Sequence, residues 1–419
     1  MIKKPIPQVP PDISLTSGMD IIARFSTLAD PRREHRRYYE LSHILFLCAV
    51  AVLAGCNTCL EIERFGEERC DWFQSMKLFP NGTPSHDTIG RVLRILNPRP
   101  FQVLFAEWVQ SIIGPVAGVI AIDGKTSRSS GDGDSAKPIH TVSVHSSETG
   151  LTLAHVDVGD KIPTIPEVIK NLDITGAFVT IDAMGCQTAI ASAMRGENAD
   201  YLLAAKDNQP LLHDSIKDYF ADRTTKAWLQ KKMHTFASTE SEGHGRTEFR
   251  EAWVSPVVGD WIDRSKWKDI QQVVCNRNTR VIKGSITIED RYFITSSKLP
   301  AKHILSSIRE HWGIENKVHW ILDVTFAEDQ CRLRKDHSAK NISTIRRWAL
   351  NMPRLQPSKQ SMNIRRKKCR MVDEISGVTV GVDLWNFSVI MLRMPCHSLA
   401  PDPAKKAGLF PRLPNRGVL

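Results

Sequence analysis

VAGVIAID, at residues 116–123, is a short and almost uninterrupted apolar run that ends in an aspartate. Runs of branched apolar residues this short are typical of a β-strand that is covered on both faces. AFVTIDAMG, at residues 177–185, repeats the order of apolar residues, Ile, Asp and a small residue. A strand buried on both faces that ends in an aspartate places the carboxylate at the rim of its sheet, where open α/β sheets bind ligands. We therefore expect Asp123 and Asp182 to meet at one edge of a sheet.

The neighbouring segments predict a mixed sheet with flanking helices. IHTVSVHS (139–146) and LTLAHVDV (151–158) alternate with period two, and short turns connect them to the first strand, which predicts an antiparallel meander. A helix, the second acid-bearing strand, another helix and the strand DYLLAAKDN (200–208) complete the order βββαβαβ. Residues 235–297 alternate between strand-like segments and turn residues and predict a β-rich insertion.

A third carboxylate lies in SIREHWGIENKVHWILDVTFAED, at residues 307–329. In a helix, side chains that recur every four residues stack along one side, as here in His311, Glu315, His319 and Asp323. Glu315 would then project towards the two aspartates. Three carboxylates form an all-oxygen site that suits Mg²⁺ or Mn²⁺, and two such ions about 3.5–4 Å apart would stabilise an in-line displacement at phosphorus.

These residues allow two other interpretations. Either aspartate alone could cap a turn, because Asp is common where strands end, but the repeated context and the nearby Lys125 favour a site. The two histidines of the third segment also raise the alternative of zinc. Their spacing is not HExxH, and residues eight apart lie two helical turns apart, too far for one tetrahedral ion.

Composition predicts a cytoplasmic protein with a polyanionic partner. In 419 residues, 56 Lys+Arg against 46 Asp+Glu give a net charge of +10, which favours contact with phosphates. Nine cysteines at irregular spacing argue against a disulfide framework. The longest apolar run, residues 44–54, is too short to cross a bilayer, and residues 1–11 lack the apolar region of a signal peptide.

The order of several motifs resembles one known family. The motifs are AIDGKT, IHTVSVHS, VTIDAMGCQ, DYLLAAKDNQ, HGRTEFRE, HWGIENKVHWILDVTFAED and STIRRWALN, with DPRREHRRYYELSHILFL and PSHDTIGRVL before them. Together they resemble H-repeat-associated insertion-sequence transposases, which are DDE enzymes, from about residue 25 to about residue 370. The resemblance implies Mg²⁺-dependent (or Mn²⁺-dependent) DNA cleavage and joining at element ends. It also implies that Asp123, Asp182 and Glu315 are the catalytic acids and metal ligands.

The resemblance also implies an α/β fold: a ribonuclease-H-like mixed sheet with flanking helices, interrupted by a β-rich insertion and preceded by an all-helical N-terminal domain. The expected order is a flexible arm (1–18), a helical domain with a candidate DNA-binding role (19–113), the first part of the core (114–222), the insertion (223–300), the second part of the core with the last acid (301–352), and a basic linker with an atypical tail (353–419).

The expected partner is double-stranded DNA, as terminal inverted repeats and as target, in the cytoplasm and on the nucleoid of a prokaryotic cell. Cutting two element ends favours a homodimer on DNA, and no membrane partner is expected. Charge and closeness to the acids make several residues candidate DNA contacts, with a solvated surface role as the alternative for each: Lys125, Lys206, His311, Arg346, Arg347 and the cluster 365–370.

The sequence departs from the family that it resembles at a few positions. Related enzymes keep a Tyr–Arg–Glu–Lys pattern around the last acid, and here the other three places are taken by Ile308, His311 and Leu322. A KSNEI run is shortened to Lys161–Ile162, Asp207 replaces a glycine that would permit positive φ, and the chain from Val372 lacks the family's closing helix. The alternatives to an active transposase are an inactive remnant that binds DNA and a metal-dependent nuclease without strand transfer.

Overall fold

A computed structural model describes residues 18–131, 137–158, 164–223, 234–243, 245–257, 262–355 and 358–371. Three features of the sequence analysis lie outside these ranges: the predicted arm apart from Gly18, the Lys161–Ile162 pair and the tail from Val372. Within the ranges, no helix combines the length and the apolar character that a bilayer crossing requires.

The N-terminal part of the described chain is helical. Its six helices are α1 (Gly18–Phe25), α2 (Leu41–Leu53), α3 (Cys59–Glu68), α4 (Cys70–Ser75), α5 (His86–Ile95) and α6 (Pro98–Ile113). Almost all of α2 is buried, as expected for a helix that is apolar on every side. The start of α3 is fixed by a capping box between Thr58 and Glu61, and the Ser85 hydroxyl accepts a hydrogen bond from the Thr88 amide at the start of α5.

All the described strands form one mixed sheet. The strands are β1 (Val119–Thr126), β2 (His140–Ser146), β3 (Thr152–Val158), β4 (Phe178–Ile181), β5 (Asp200–Ala205), β6 (Thr235–Gly243), β7 (Arg246–Pro256), β8 (Gln272–Ile282) and β9 (Ser285–Thr295). Their order in the sheet is β3-β2-β1-β4-β5-β9-β8-β7-β6. The strands β1, β4 and β5 are parallel, and the other pairs are antiparallel.

The β-rich segment continues the sheet of the acid-bearing strands instead of forming a separate layer. β9 pairs with β5, with Leu203 opposite Ile294, and β8, β7 and β6 follow outwards as an antiparallel meander. Sequence alternation predicts these strands, but it does not predict that their last member pairs with β5.

Seven more helices follow in the described chain: α7 (Thr164–Lys170), α8 (Thr188–Gly196), α9 (Pro210–Tyr219), α10 (Ala301–His311), α11 (Trp320–Val324), α12 (Ser338–Asn351) and α13 (Met362–Met371). The helix α10 buries Ile304 and Ile308 with Leu202 and Phe293 of the sheet, so it covers one face of the central strands. The helix α12 begins at Ser338 and contacts α2, α5, α6 and β3.

An aromatic cluster joins α12 to the N-terminal helices. The ring of Trp348 is stacked on Trp108, with centroids 4.2 Å apart, and it meets Phe25 and Phe105 edge to face at 4.9 and 5.7 Å. All four rings are almost fully buried. The N-terminal helices therefore share a hydrophobic core with the helix that follows the third acid.

Removing the central ring of this cluster is expected to destabilise the folded protein. The substitution Trp348→Ala should lower the free energy of unfolding by about 3–5 kcal/mol, because it leaves a cavity among buried rings. Urea denaturation followed by circular dichroism measures the change. The matched control is Trp320→Ala, whose side chain is 58% exposed and whose loss should cost less than about 0.5 kcal/mol. Equal costs for the two substitutions would contradict the structural role of Trp348.

Candidate active site

The two aspartates are brought together by strand pairing. The strands β1 and β4 run parallel, with Ile122 opposite Ile181. Asp123 directly follows Ile122, and Asp182 directly follows Ile181, so the two aspartates come after the same point of the two strands. Both side chains line one cavity of about 200 Å³. This geometry agrees with the sequence expectation that the two aspartates lie at the same edge of the sheet.

Steric crowding explains why glycine follows the first aspartate. A Cβ atom on Gly124 would lie 2.6 Å from Nε2 of His140 on the neighbouring strand β2. The Gly124 amide also donates a hydrogen bond to Oδ1 of Asp123 at 2.8 Å. Glycine therefore lets the β2 imidazole approach, and its amide orients the carboxylate.

The third carboxylate comes from a π-helical turn, Glu315–His319, between α10 and α11. Single π-helical turns of this kind occur frequently at functional sites. Glu315 lines the same cavity as the aspartates, and its side chain is 49% exposed. The three acids, which are remote in sequence, therefore face one solvent-accessible space.

The residues spaced by four around Glu315 all face β1 or β4. Nδ1 of His311 is 3.0 Å from Oγ1 of Thr180, and Asp323 forms an ion pair with Lys125 on β1. Nδ1 of His319 is 3.5 Å from Oδ2 of Asp123 and 3.4 Å from Oε2 of Glu315. Asp123, Glu315 and His319 each offer one ligand atom within 4.8 Å of the others.

The electrostatics of the site reflect crowded acids in a partly buried space. Burial, followed by the nearby charge of Asp182 and the charge and hydrogen bond of Glu315, raises the pKa of Asp123 to about 7, against the opposing effect of the Gly124 amide. Burial lowers the pKa of His319 to about 4, so its imidazole is neutral at physiological pH. A bound cation would stabilise the ionised form of Asp123, which burial and the neighbouring acids disfavour.

Two of the predicted DNA contacts lie on the wall of this cavity. Lys206 is exposed beside it, and His311 forms part of its side near Thr180. Their contact with DNA stays a prediction. The same wall contains Arg291, which is not among the predicted DNA contacts. Its guanidinium lies 4.9 Å from the centre of the Trp312 ring.

Lys125 is placed differently from the sequence expectation. Its side chain is only 7% exposed, and its Nζ lies 2.7 Å from Asp323, 3.0 Å from Asp329 and 3.5 Å from Glu328. A phosphate contact from Lys125 does not fit this arrangement, because three carboxylates already surround its ammonium group. Lys125 instead connects β1 to the segment after Glu315.

The two arginines of α12 are also buried, with exposures of 2% for Arg346 and 0% for Arg347. Nη1 of Arg347 lies 3.1 Å from Oε1 of Glu328. In the predicted basic cluster 365–370, Arg366 is buried with its guanidinium 4.1 Å from the centre of the Phe326 ring. Buried guanidinium groups cannot reach a DNA backbone, so these three arginines hold the fold together instead.

The departures from the family pattern fit this core. Ile308 and Leu322 are buried apolar side chains, so the places of a tyrosine and a lysine are filled by packing residues. Asp207 stands where the family has a glycine, which would permit positive φ. Asp207 does not adopt positive φ, so replacing that glycine with aspartate causes no backbone strain of this kind.

Comparisons with known proteins agree with the motif order. Residues 114–352 match the family described as "Transposase DDE domain", and residues 22–109 match the region described as "DDE_Tnp_1-associated". The chain is 38% identical over 366 residues to "Putative transposase YncI" of Escherichia coli O157:H7, which spans 85% of this chain and 92% of that protein. It is 34% identical over 342 residues to "H repeat-associated putative transposase YhhI" of Escherichia coli strain K12, which spans 79% and 89%.

Among solved structures, the piggyBac transposase synaptic complex with hairpin DNA aligns with 93% of this chain and 88% of that chain, at 12% identity and a TM-score of 0.46. The domain match covers more than half of the chain, and the relatives match most of it. This protein therefore belongs to the DDE transposase family, as an insertion-sequence transposase related to the H repeat-associated proteins.

Proposed function

We propose that this transposase cuts DNA at the ends of its element and joins the freed 3′ ends to target DNA. One observation carries the proposal: carboxylates from β1, from the end of β4 and from the π-helical turn line one cavity that is open to solvent. The proposed catalytic acids are Asp123, Asp182 and Glu315. The central strands and helices are proposed to be a ribonuclease-H-like core, with residues 223–300 as the insertion before the last acid.

The same three residues would hold Mg²⁺ or Mn²⁺. The fit rests on donor chemistry, because carboxylate oxygens are the ligands that these hard cations prefer. Burial and, after it, the neighbouring acids raise the pKa of Asp123, and a bound cation would offset both effects. Bound divalent ions supply charge stabilisation for the attacking and leaving oxygens of a phosphodiester.

The chain's own residues orient the acids and the DNA. The Gly124 amide fixes one oxygen of Asp123, so the other oxygen faces His319. Lys206, His311 and Arg291 on the cavity wall are proposed to contact the DNA backbone near the scissile phosphate. Such contacts position the duplex without reading its sequence.

A transposable element has two ends, and this fact underlies the roles proposed for the N-terminal helices and for a second copy of the chain. We propose that residues 19–113 help to bind the terminal inverted repeats and that two copies act together as a homodimer on DNA. The proposed location is the cytoplasm, on the nucleoid, where the donor and target DNA both lie.

Strand cleavage of an element-end duplex tests the proposal. Wild-type protein with Mg²⁺ should nick a labelled duplex that carries the inverted repeat, and Glu315→Gln should reduce nicking by roughly a thousandfold or more, because one metal-holding carboxylate is lost. The matched control is Glu310→Gln, which changes an acid of α10 that is not among the cavity-lining residues and should leave nicking within about threefold of wild type.

Two outcomes would separate the alternatives. Salt-dependent binding of the repeat without metal-dependent nicking would contradict the proposal and identify a binding remnant. Nicking without joining of the 3′ end to a supercoiled plasmid would identify a nuclease that does not transfer strands.

A further inference from the structure

We propose that His319 is a metal ligand, with its Nδ1 coordinating the divalent ion that Asp123 and Glu315 share. The inference rests on the proposed metal-dependent function and adds a nitrogen donor to its site. It concerns the ion between Asp123 and Glu315, because Asp182 is not among the three side chains whose ligand atoms cluster.

The geometry suits one shared ion. Neighbouring ligand atoms around an octahedral cation with bonds of about 2.0–2.2 Å lie about 3 Å apart. Nδ1 of His319 is 3.5 Å from Oδ2 of Asp123 and 3.4 Å from Oε2 of Glu315. Shifts of a few tenths of an ångström would therefore bring all three atoms to bonding distance of a single ion.

A hydrogen bond alone does not explain the position of the imidazole. N–H···O hydrogen bonds are about 2.7–3.2 Å long, so Nδ1 is too far from either carboxylate to form a good one. Its side chain is only 5% exposed, and the other ring nitrogen, Nε2, has no hydrogen-bond partner among the described residues. A buried, polar ring is thus aimed between two acids without completing a contact to either.

A nitrogen donor changes the metal preference of the site. Imidazole suits transition metals, whereas Mg²⁺ prefers oxygen ligands alone. A site of two carboxylates and one imidazole therefore favours Mn²⁺ over Mg²⁺ more strongly than an all-carboxylate site does. The preference is set by the π-helical turn, which directs Glu315 and His319 to the same aspartate.

Pulsed electron paramagnetic resonance of bound Mn²⁺ tests this assignment in the full-length protein without DNA. A directly bound imidazole produces a coupling from its nitrogen nucleus. Wild type should show the coupling, and His319→Gln should lose it while weakening Mn²⁺ binding about tenfold or more, with a smaller loss for Mg²⁺ in competition. The matched control is His311→Gln, which changes a histidine on the cavity wall outside the group of three ligand atoms and should keep the coupling.

Several results would overturn the assignment. Mn²⁺ that binds wild type without nitrogen coupling would refute this inference alone, whereas a complete lack of Mn²⁺ binding would refute the proposed metal-dependent function as well. Loss of the coupling in His311→Gln would show that His311, and not His319, supplies the nitrogen ligand. If His319→Gln fails to fold, wild type with ¹⁵N-labelled histidine must show the ¹⁵N coupling, and the His311→Gln protein must retain it.

Discussion

Replacing Asp123 with asparagine is expected to abolish cleavage and, at the same time, to stabilise the metal-free protein at pH 8. Burial and the neighbouring acids raise the pKa of Asp123 from 3.8 to about 7. A carboxyl whose pKa is raised on folding favours the folded state when it is protonated, so stability falls as the pH rises from about 4 to about 7. The side chain is only 12% exposed, so solvent screens this penalty little.

Asparagine removes the charge and keeps the shape. At pH 8 the gain in the free energy of unfolding should be on the order of 2–4 kcal/mol, and it should shrink towards pH 4. Denaturation with a chelator present at both pH values measures it. The control is Asp207→Asn, an exposed acid whose change should stay within about 0.5 kcal/mol. A gain of equal size at both pH values would contradict the pKa explanation.

The substitution Glu328→Gln is expected to destabilise the fold by about 3–5 kcal/mol, since it leaves buried cations without their charge partner. Glu328 is 2% exposed and lies 3.1 Å from Arg347 and 3.5 Å from Lys125. Burial alone would raise its pKa, but the charges of Arg347 and Lys125 outweigh burial and lower the pKa to about 2. Its stabilising contribution is therefore complete above about pH 4.5 and is lost as the pH falls towards 2.

Urea denaturation at pH 7 and pH 3 measures this effect. The loss caused by Glu328→Gln should be smaller at pH 3, where the wild-type acid has lost part of its contribution. The control is Lys266→Ala, which breaks an exposed pair with Asp263 and should cost no more than about 1 kcal/mol. A loss of less than about 1 kcal/mol in the free energy of unfolding for Glu328→Gln would contradict this explanation, because Arg347 and Lys125 would then not need Glu328 as a charge partner.

The parts of the site that depend on local pattern could be predicted from the sequence. Branched apolar runs predict β1 and β4, and a period of four predicts that the side chains around Glu315 share a face. Both predictions depend on neighbours within one element. They agree with the placement of Asp123, Asp182 and Glu315 at one cavity.

Other parts depend on partners that are distant along the chain. Arg347 resembles a surface arginine until its partner Glu328, 19 residues earlier, is known, and Lys125 resembles a phosphate contact until Asp323 and Asp329 are placed. The continuous sheet likewise depends on the pairing of β5 with β9, which alternation cannot specify because many registers share the same period.

The π-helical turn has one more consequence, for the phase of the helix that contains it. On a regular α-helix, each step of four residues overshoots a full circle by about 40°, so three steps would carry Asp323 about 120° around the axis from His311. A wider turn at Glu315–His319 takes back part of that drift. The winding of the backbone is thereby matched more closely to the four-residue period of the sequence, so that His311, His319 and Asp323 all reach β1 or β4.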